Sequence, residues 1–136
     1  MERELSRSSK YWIPRHRYYE LMHFSLQYPE WVKGYHHVSS SYKAQTKLDE
    51  TKVQQSGYAD PTADKAVILD WYNKRLWMVE RAAYLAHPIL KEYIMENVTE
   101  GRTYDQIRAR EDIPVGRKKF YEICRAYYWY LSQLRD

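Results

Sequence analysis

The stretch from Thr103 to Leu134, TYDQIRAREDIPVGRKKFYEICRAYYWYLSQL, constrains the fold more than any other. It holds a helix start, a break and a second helix in one short run. Thr103-Tyr-Asp-Gln106 is a capping-box pattern: the threonine hydroxyl caps a helix start and Gln106 reaches back to it. Gly101, just upstream, suits the stop of a preceding helix. The capped helix is short, about Tyr104 to Glu111, with Tyr104 and Ile107 on one face. Asp112-Ile-Pro-Val-Gly116 breaks it, because proline removes a donor and disfavours a helical residue before it. A longer helix follows, about Arg117 to Gln133. Its apolar stripe is Phe120, Cys124, Tyr127, Leu131 and Leu134. Arg117, Lys118 and Lys119 occupy its first turn, where the helix dipole disfavours cations. A phosphate at that end would offset the penalty. A plain helical hairpin with a solvated, charged end carries the same pattern. The alternative is a helix-turn-helix whose recognition helix begins with Arg117 to Arg125.

The rest of the chain fits an all-α reading. With 136 residues it supports one small helical domain. Its 4 glycines and 5 prolines are few, and no run of Val, Ile and Thr alternates with a strand period. Ile13-Pro14 starts a helix to about Tyr28, with Tyr18, Leu21, Met22 and Phe24 on a broad apolar face. Pro29 interrupts, and Glu30 to Lys33 adds one turn before Gly34. Residues 35–59 are polar and read as a long loop, with room for a short helix near Leu48 to Gln54. Asp60-Pro61 caps the longest helix, which runs to about Leu85. Leu69, Tyr72, Leu76, Val79 and Ala83 form its stripe, and Ile68, Trp71 and Met78 widen it to a second side. Such a helix is central to its domain or packs on a partner chain, and the central position is the simpler expectation. His87-Pro88 restarts a helix with Leu90, Tyr93, Ile94 and Val98 inward. Three segments result: a basic flexible arm over 1–12, an N-terminal helix and long polar loop over 13–60, and a long helix leading into the helix-turn-helix module over 61–136.

Charge is weakly basic overall, 22 Lys and Arg against 18 Asp and Glu. Its clustering matters more: Arg117, Lys118, Lys119 and Arg125 face only Glu122 within 117–125. The N-terminus carries Arg3, Arg7, Lys10, Arg15 and Arg17 against Glu2 and Glu4. The composition is rich in tyrosine, 15 against 5 Trp and 2 Phe. So many amphipathic rings imply half-buried packing, or a surface that faces a ligand. A lone cysteine makes no internal disulfide, which implies a reducing compartment, and Cys124 on the apolar stripe reads as a small buried hydrophobe. No apolar run reaches the length of a membrane span, and no signal-peptide core opens the chain, so a cytoplasmic protein is expected. No C-x-x-C, H-E-x-x-H, phosphate-binding glycine loop or nucleophile elbow occurs. The expectation is therefore a non-enzyme without metal or cofactor.

The run Leu90 to Arg135 resembles the C-terminal half of small phage transcriptional regulators of the RinA and ArpU type. The VTEG-x-TYDQI segment, the IPVGRKKFY turn and the YYWYLS ending carry the likeness, and WYNKRLWMVERAAYLAHPIL resembles the family's long preceding helix. Those regulators are similar in turn to the DNA-binding fourth region of sigma factors. This chain differs in having Arg108 where that pattern has a small residue, and in a turn about two residues longer. The resemblance implies a phage or prophage regulator that binds double-stranded DNA in the bacterial cytoplasm. Bacterial RNA polymerase or another host protein is a further candidate partner, and a homo-oligomer is left open. On that reading Arg117, Lys118, Tyr121, Glu122 and Arg125 face solvent and meet DNA, with Arg117 on a guanine or a phosphate. Lys118, Lys119 and Arg102 act as backbone contacts. Arg3, Arg7 and Lys10 follow the phosphates or enter a minor groove. Two alternatives stay open: a small subunit of a DNA-packaging machine, and an anti-CRISPR-like inhibitor that binds a host protein through its aromatic side chains.

Overall fold

A computed structural model describes residues 9–51 and 61–135 of the chain. Every regular element among them is a helix: α1 (Arg15–Leu26), α2 (Tyr28–Thr51), α3 (Pro61–Ala86), α4 (Lys91–Glu100), α5 (Tyr104–Arg108) and α6 (Arg117–Arg135). None is long and apolar enough to cross a membrane. The described residues fall into two compact units, 30–76 in one and the flanking segments 9–29 and 77–135 in the other.

The flanking unit is built on α6, which packs against α1 and α4, while α4 also meets α5. Phe120, Cys124, Tyr127 and Leu131 of the expected stripe are fully buried. Ile123, Ala126 and Tyr128 are buried as well, so α6 is covered around most of its girth. Leu21 and Phe24 of α1, Leu90 at the N-cap of α4 with Ile94 and Val98 within it, and Val79, Ala82 and Ala83 of α3 are buried too. Burying large side chains of this kind stabilises by about 1.5–3 kcal/mol each. One polar pair lies inside: the Ser25 hydroxyl donates to the Leu21 carbonyl at 2.9 Å and lies 2.8 Å from the Tyr127 hydroxyl. Burial pushes the Tyr127 phenol well above its usual range, against the opposing effect of its bond to Ser25.

The local stops and starts follow sequence chemistry. Pro14 is the N-cap of α1, and its fixed φ leads directly into the helix. Tyr28 then opens α2, with Pro29 in the first turn, where no donor is missed. Gly101 ends α4 with φ 72°, a left-handed conformation that only glycine adopts without cost. Its N–H donates to the Asn97 carbonyl at 3.0 Å.

The unit of residues 30–76 departs from the sequence reading. Residues 35–51, expected as loop, are helical and continue α2, while 52–60 lie outside the described residues. Polarity misled here, because a helix with few buried positions looks like a loop in composition. Gly34 does not stop this helix. A Cβ at Gly34 would lie 2.5 Å from Tyr72 Cζ, so the missing side chain makes room for the Tyr72 ring. Trp31 meets Trp71 edge-on with centroids 6.4 Å apart, and Lys65 Nζ donates to Ser41 Oγ at 2.8 Å. These pairings make α2 and α3 antiparallel within this unit. Of the second apolar side of α3, Ile68 is 44% and Trp71 45% exposed, while Met78 is half-buried.

Candidate nucleic-acid interface

The approach to α6 is locked by hydrogen bonds. Four backbone N–H groups at a helix start lack internal partners, a heavy burden for the five-residue α5. The capping box supplies part of the answer: Gln106 N–H donates to Thr103 Oγ1 at 3.2 Å, and Thr103 N–H donates to Gln106 Oε1 at 2.9 Å. Tyr121 supplies another, its hydroxyl accepting the Tyr104 N–H at 3.0 Å. The Tyr104 hydroxyl in turn donates to the Val115 carbonyl at 2.7 Å, which pins the segment between the two helices. Beneath these bonds Tyr104, Ile107, Ile113, Phe120 and Cys124 form one apolar cluster. The ring centroids of Tyr104 and Phe120 are 5.5 Å apart. The first turn of α6 is therefore held rigidly against the first turn of α5.

On this frame the cations differ in their surroundings. Arg117 pairs with Asp105 at 2.6 Å, and that hydrogen bond holds the guanidinium pKa up. The pair is exposed and contributes little stability, but it fixes the direction of the side chain. Lys118 and Lys119 are exposed, and neither has an ionic partner among the described residues. Glu122 is exposed beside them. Arg125 is half-buried, its guanidinium carbon 5.9 Å from the Tyr18 ring centre. Arg102 bridges Glu96 at 2.8 Å and Glu100 at 2.9 Å, and so secures the end of α4.

Two expected positions thus turn inward. Tyr121, read as solvent-facing, is half-buried because its hydroxyl closes the start of α5. Arg125 lies partly against α1. At the N-terminus, Arg3 and Arg7 lie outside the described residues. Lys10 is ordered against aromatic rings, 5.4 Å from the Tyr11 centroid and 5.5 Å from that of Trp129. Tyr11 packs edge-on against Trp129 at 5.7 Å, so residues 10 and 11, read as part of a loose arm, sit against the end of α6. Arg17, counted in the same basic cluster, donates to Ser132 Oγ at 3.2 Å and pairs with Glu20 at 2.9 Å. Arg135 reaches the same Glu20 at 2.7 Å, which ties α1 to the last turn of α6. Sequence reasoning passed over Arg108 and Arg110, both exposed next to the break. The neighbouring Glu111 and Asp112 diluted that signal.

Lys118, Lys119, Arg108 and Arg110 are thus exposed cations on or near a pre-organised helix start. Such an arrangement suits an anion with a repeating charge better than a single small ligand. The chain matches no protein-family model, no curated protein and no solved structure.

Proposed function

We propose that this chain is a phage-type, DNA-binding transcriptional regulator, with α5, the 109–116 segment and α6 acting as a helix-turn-helix. The observation that carries the reading is the exposed pair Lys118 and Lys119, without an ionic partner among the described residues, on the first turn of α6, whose position is held through Tyr104 and Tyr121. A helix entering the major groove presents its N-terminal residues to base edges and phosphates. Here Lys118 and Lys119 meet phosphates, and Arg117, oriented by Asp105, is the candidate for a base or phosphate contact. Glu122 lies on the same exposed side and is able to accept from a cytosine amine. The resemblance to RinA and ArpU regulators supports the same assignment.

The test is a titration of labelled duplexes at two salt concentrations with wild type, Lys118→Ala and Arg117→Ala. Loss of a phosphate-contacting lysine weakens binding uniformly across sequences and lowers the salt slope by about one. Loss of a base-contacting arginine costs roughly 1–3 kcal/mol on a preferred site and less on random DNA. A wild type that binds no duplex at low salt defeats the proposal and turns attention to a host-protein partner.

A further inference from the structure

We infer, resting on the reading of α6 as the DNA-facing helix, that Asp105 is a specificity-determining residue, which aims Arg117 at a guanine edge and keeps it off the phosphate backbone. Asp105 lies in the first turn of α5 and Arg117 in the first turn of α6. Arg117 Nη2 donates to Asp105 Oδ1 at 2.6 Å, and the guanidinium carbon stands 6.0 Å from the Tyr104 ring centre. The two side chains are largely exposed, 68% for Asp105 and 62% for Arg117, so their pairing does little for stability. Nor is it needed to join the helices. The hydroxyls of Tyr121 and Tyr104 bond across the break, and Phe120 packs with Tyr104, Ile107 and Ile113 beneath it. What the pair changes is the kind of ligand that Arg117 suits.

A phosphate is drawn to uncompensated positive charge, and its neutralisation releases counterions. Arg117 has no such charge to offer, because the carboxylate beside it makes the pair neutral. A phosphate on this guanidinium would also meet the Asp105 charge, a repulsive element of the kind that excludes a wrong ligand. Guanine meets no such barrier. Its O6 and N7 are uncharged acceptors, and two N–H groups of one guanidinium match them. Arginine has five N–H donors in a rigid fork, and the bond to Asp105 engages Nη2 alone. The carboxylate therefore fixes the fork without consuming it. Lys118 and Lys119 are the contrast: both are exposed, without an ionic partner among the described residues, and suit phosphates. One turn of α6 thus divides the work, with Arg117 reading a base and the lysines holding the backbone.

The experiment is selection from a library of duplexes with a randomised core, read by sequencing, then titration of selected and random duplexes at two salt concentrations. It compares wild type, Arg117→Ala, Asp105→Ala and the double variant, each shown to be folded by circular dichroism. Asp105→Asn takes the place of Asp105→Ala if the alanine unfolds the chain. Wild type is expected to prefer guanine at one position, and Arg117→Ala to lower that preference by about tenfold or more with little change in salt slope. Asp105→Ala should weaken the same preference. By freeing the Arg117 charge for a phosphate, it should also tighten binding to random duplex and raise the salt slope by about one. In the Arg117→Ala background, losing Asp105 should alter neither the guanine position nor the slope. A carboxylate that only steadied α5, or only repelled DNA, would leave the guanine preference intact. A wild type that binds no duplex overturns the regulator reading, and this inference with it. A wild type that binds, and whose guanine preference survives in Asp105→Ala, overturns the inference alone. Binding without base preference does the same, as does an Arg117→Ala that lowers the slope by about one, the mark of a phosphate contact.

Discussion

Removing Ser25 should cost more than removing the hydroxyl it holds. The Ser25 hydroxyl has one proton, and it points at the Leu21 carbonyl 2.9 Å away. Across the 2.8 Å contact, Tyr127 must then be the donor and Ser25 the acceptor. Tyr127→Phe deletes that donor, leaves the serine proton satisfied, and should cost about 1 kcal/mol, the net value of a typical hydrogen bond. Ser25→Ala instead strands a phenol proton at a fully buried site, where an unsatisfied donor costs about 1–3 kcal/mol. The Leu21 carbonyl is not stranded, since a regular helix gives it the Ser25 backbone N–H. The double variant has neither donor nor acceptor, so it should be less damaged than the two single losses added together. The expected coupling is about 1–2 kcal/mol. Native-state hydrogen exchange of the α6 amides across a urea series reads the unit that holds the pair. The reasoning fails if Tyr127→Phe costs as much as Ser25→Ala, or if the two losses add.

Phe120→Ala should cost about 3–5 kcal/mol in the same assay, because the ring is fully buried and joins α6 to Tyr104 and Ile107. Loss of less than about 1 kcal/mol would show that the cluster does not hold the two helices together. Cys124 should react with a thiol reagent only as fast as the unit opens, since it is fully buried; modification at the denatured rate would contradict its place in the core. Alkali should weaken the fold through Tyr28, whose pKa burial, and then Glu80 and Glu92, push up to about 12. The folded state binds that proton more tightly than the unfolded chain, whose tyrosine titrates near about 10. The resulting stability is present below that value and lost as pH rises towards the folded pKa. Tyr28→Phe should flatten the decline between those pH values, and an unchanged decline would assign it to other groups.

The parts of the fold written in contiguous residues were legible. The capping box at Thr103, the glycine stop at 101 and the stripe through Phe120, Cys124, Tyr127 and Leu131 depend on neighbours within one or two turns. Their chemistry stands in the sequence at fixed offsets. What escaped depends on partners far along the chain. Nothing near Gly34 announces that Tyr72 will lie on it, so the glycine passed for a helix stop. Nothing near Tyr121 announces the Tyr104 N–H, so a half-buried ring was read as solvent-facing. Arg17 looked like one of a row of cations until Ser132 and Glu20 came beside it. The second side of α3 was legible as apolar, but periodicity does not say whether it is covered. At the candidate interface, Arg117, Lys118 and Glu122, read as solvent-facing from the phase of the stripe, are exposed.

Backbone amide shifts on adding a randomised duplex at low salt show whether the start of α6 meets DNA as proposed. A DNA-binding α6 gives shifts concentrated at Thr103–Gln106, at 108–110 and at Gly116–Glu122, fading as salt is raised and lost in a Lys118→Ala, Lys119→Ala double variant. Shifts absent at low salt, or confined to α3, would contradict it.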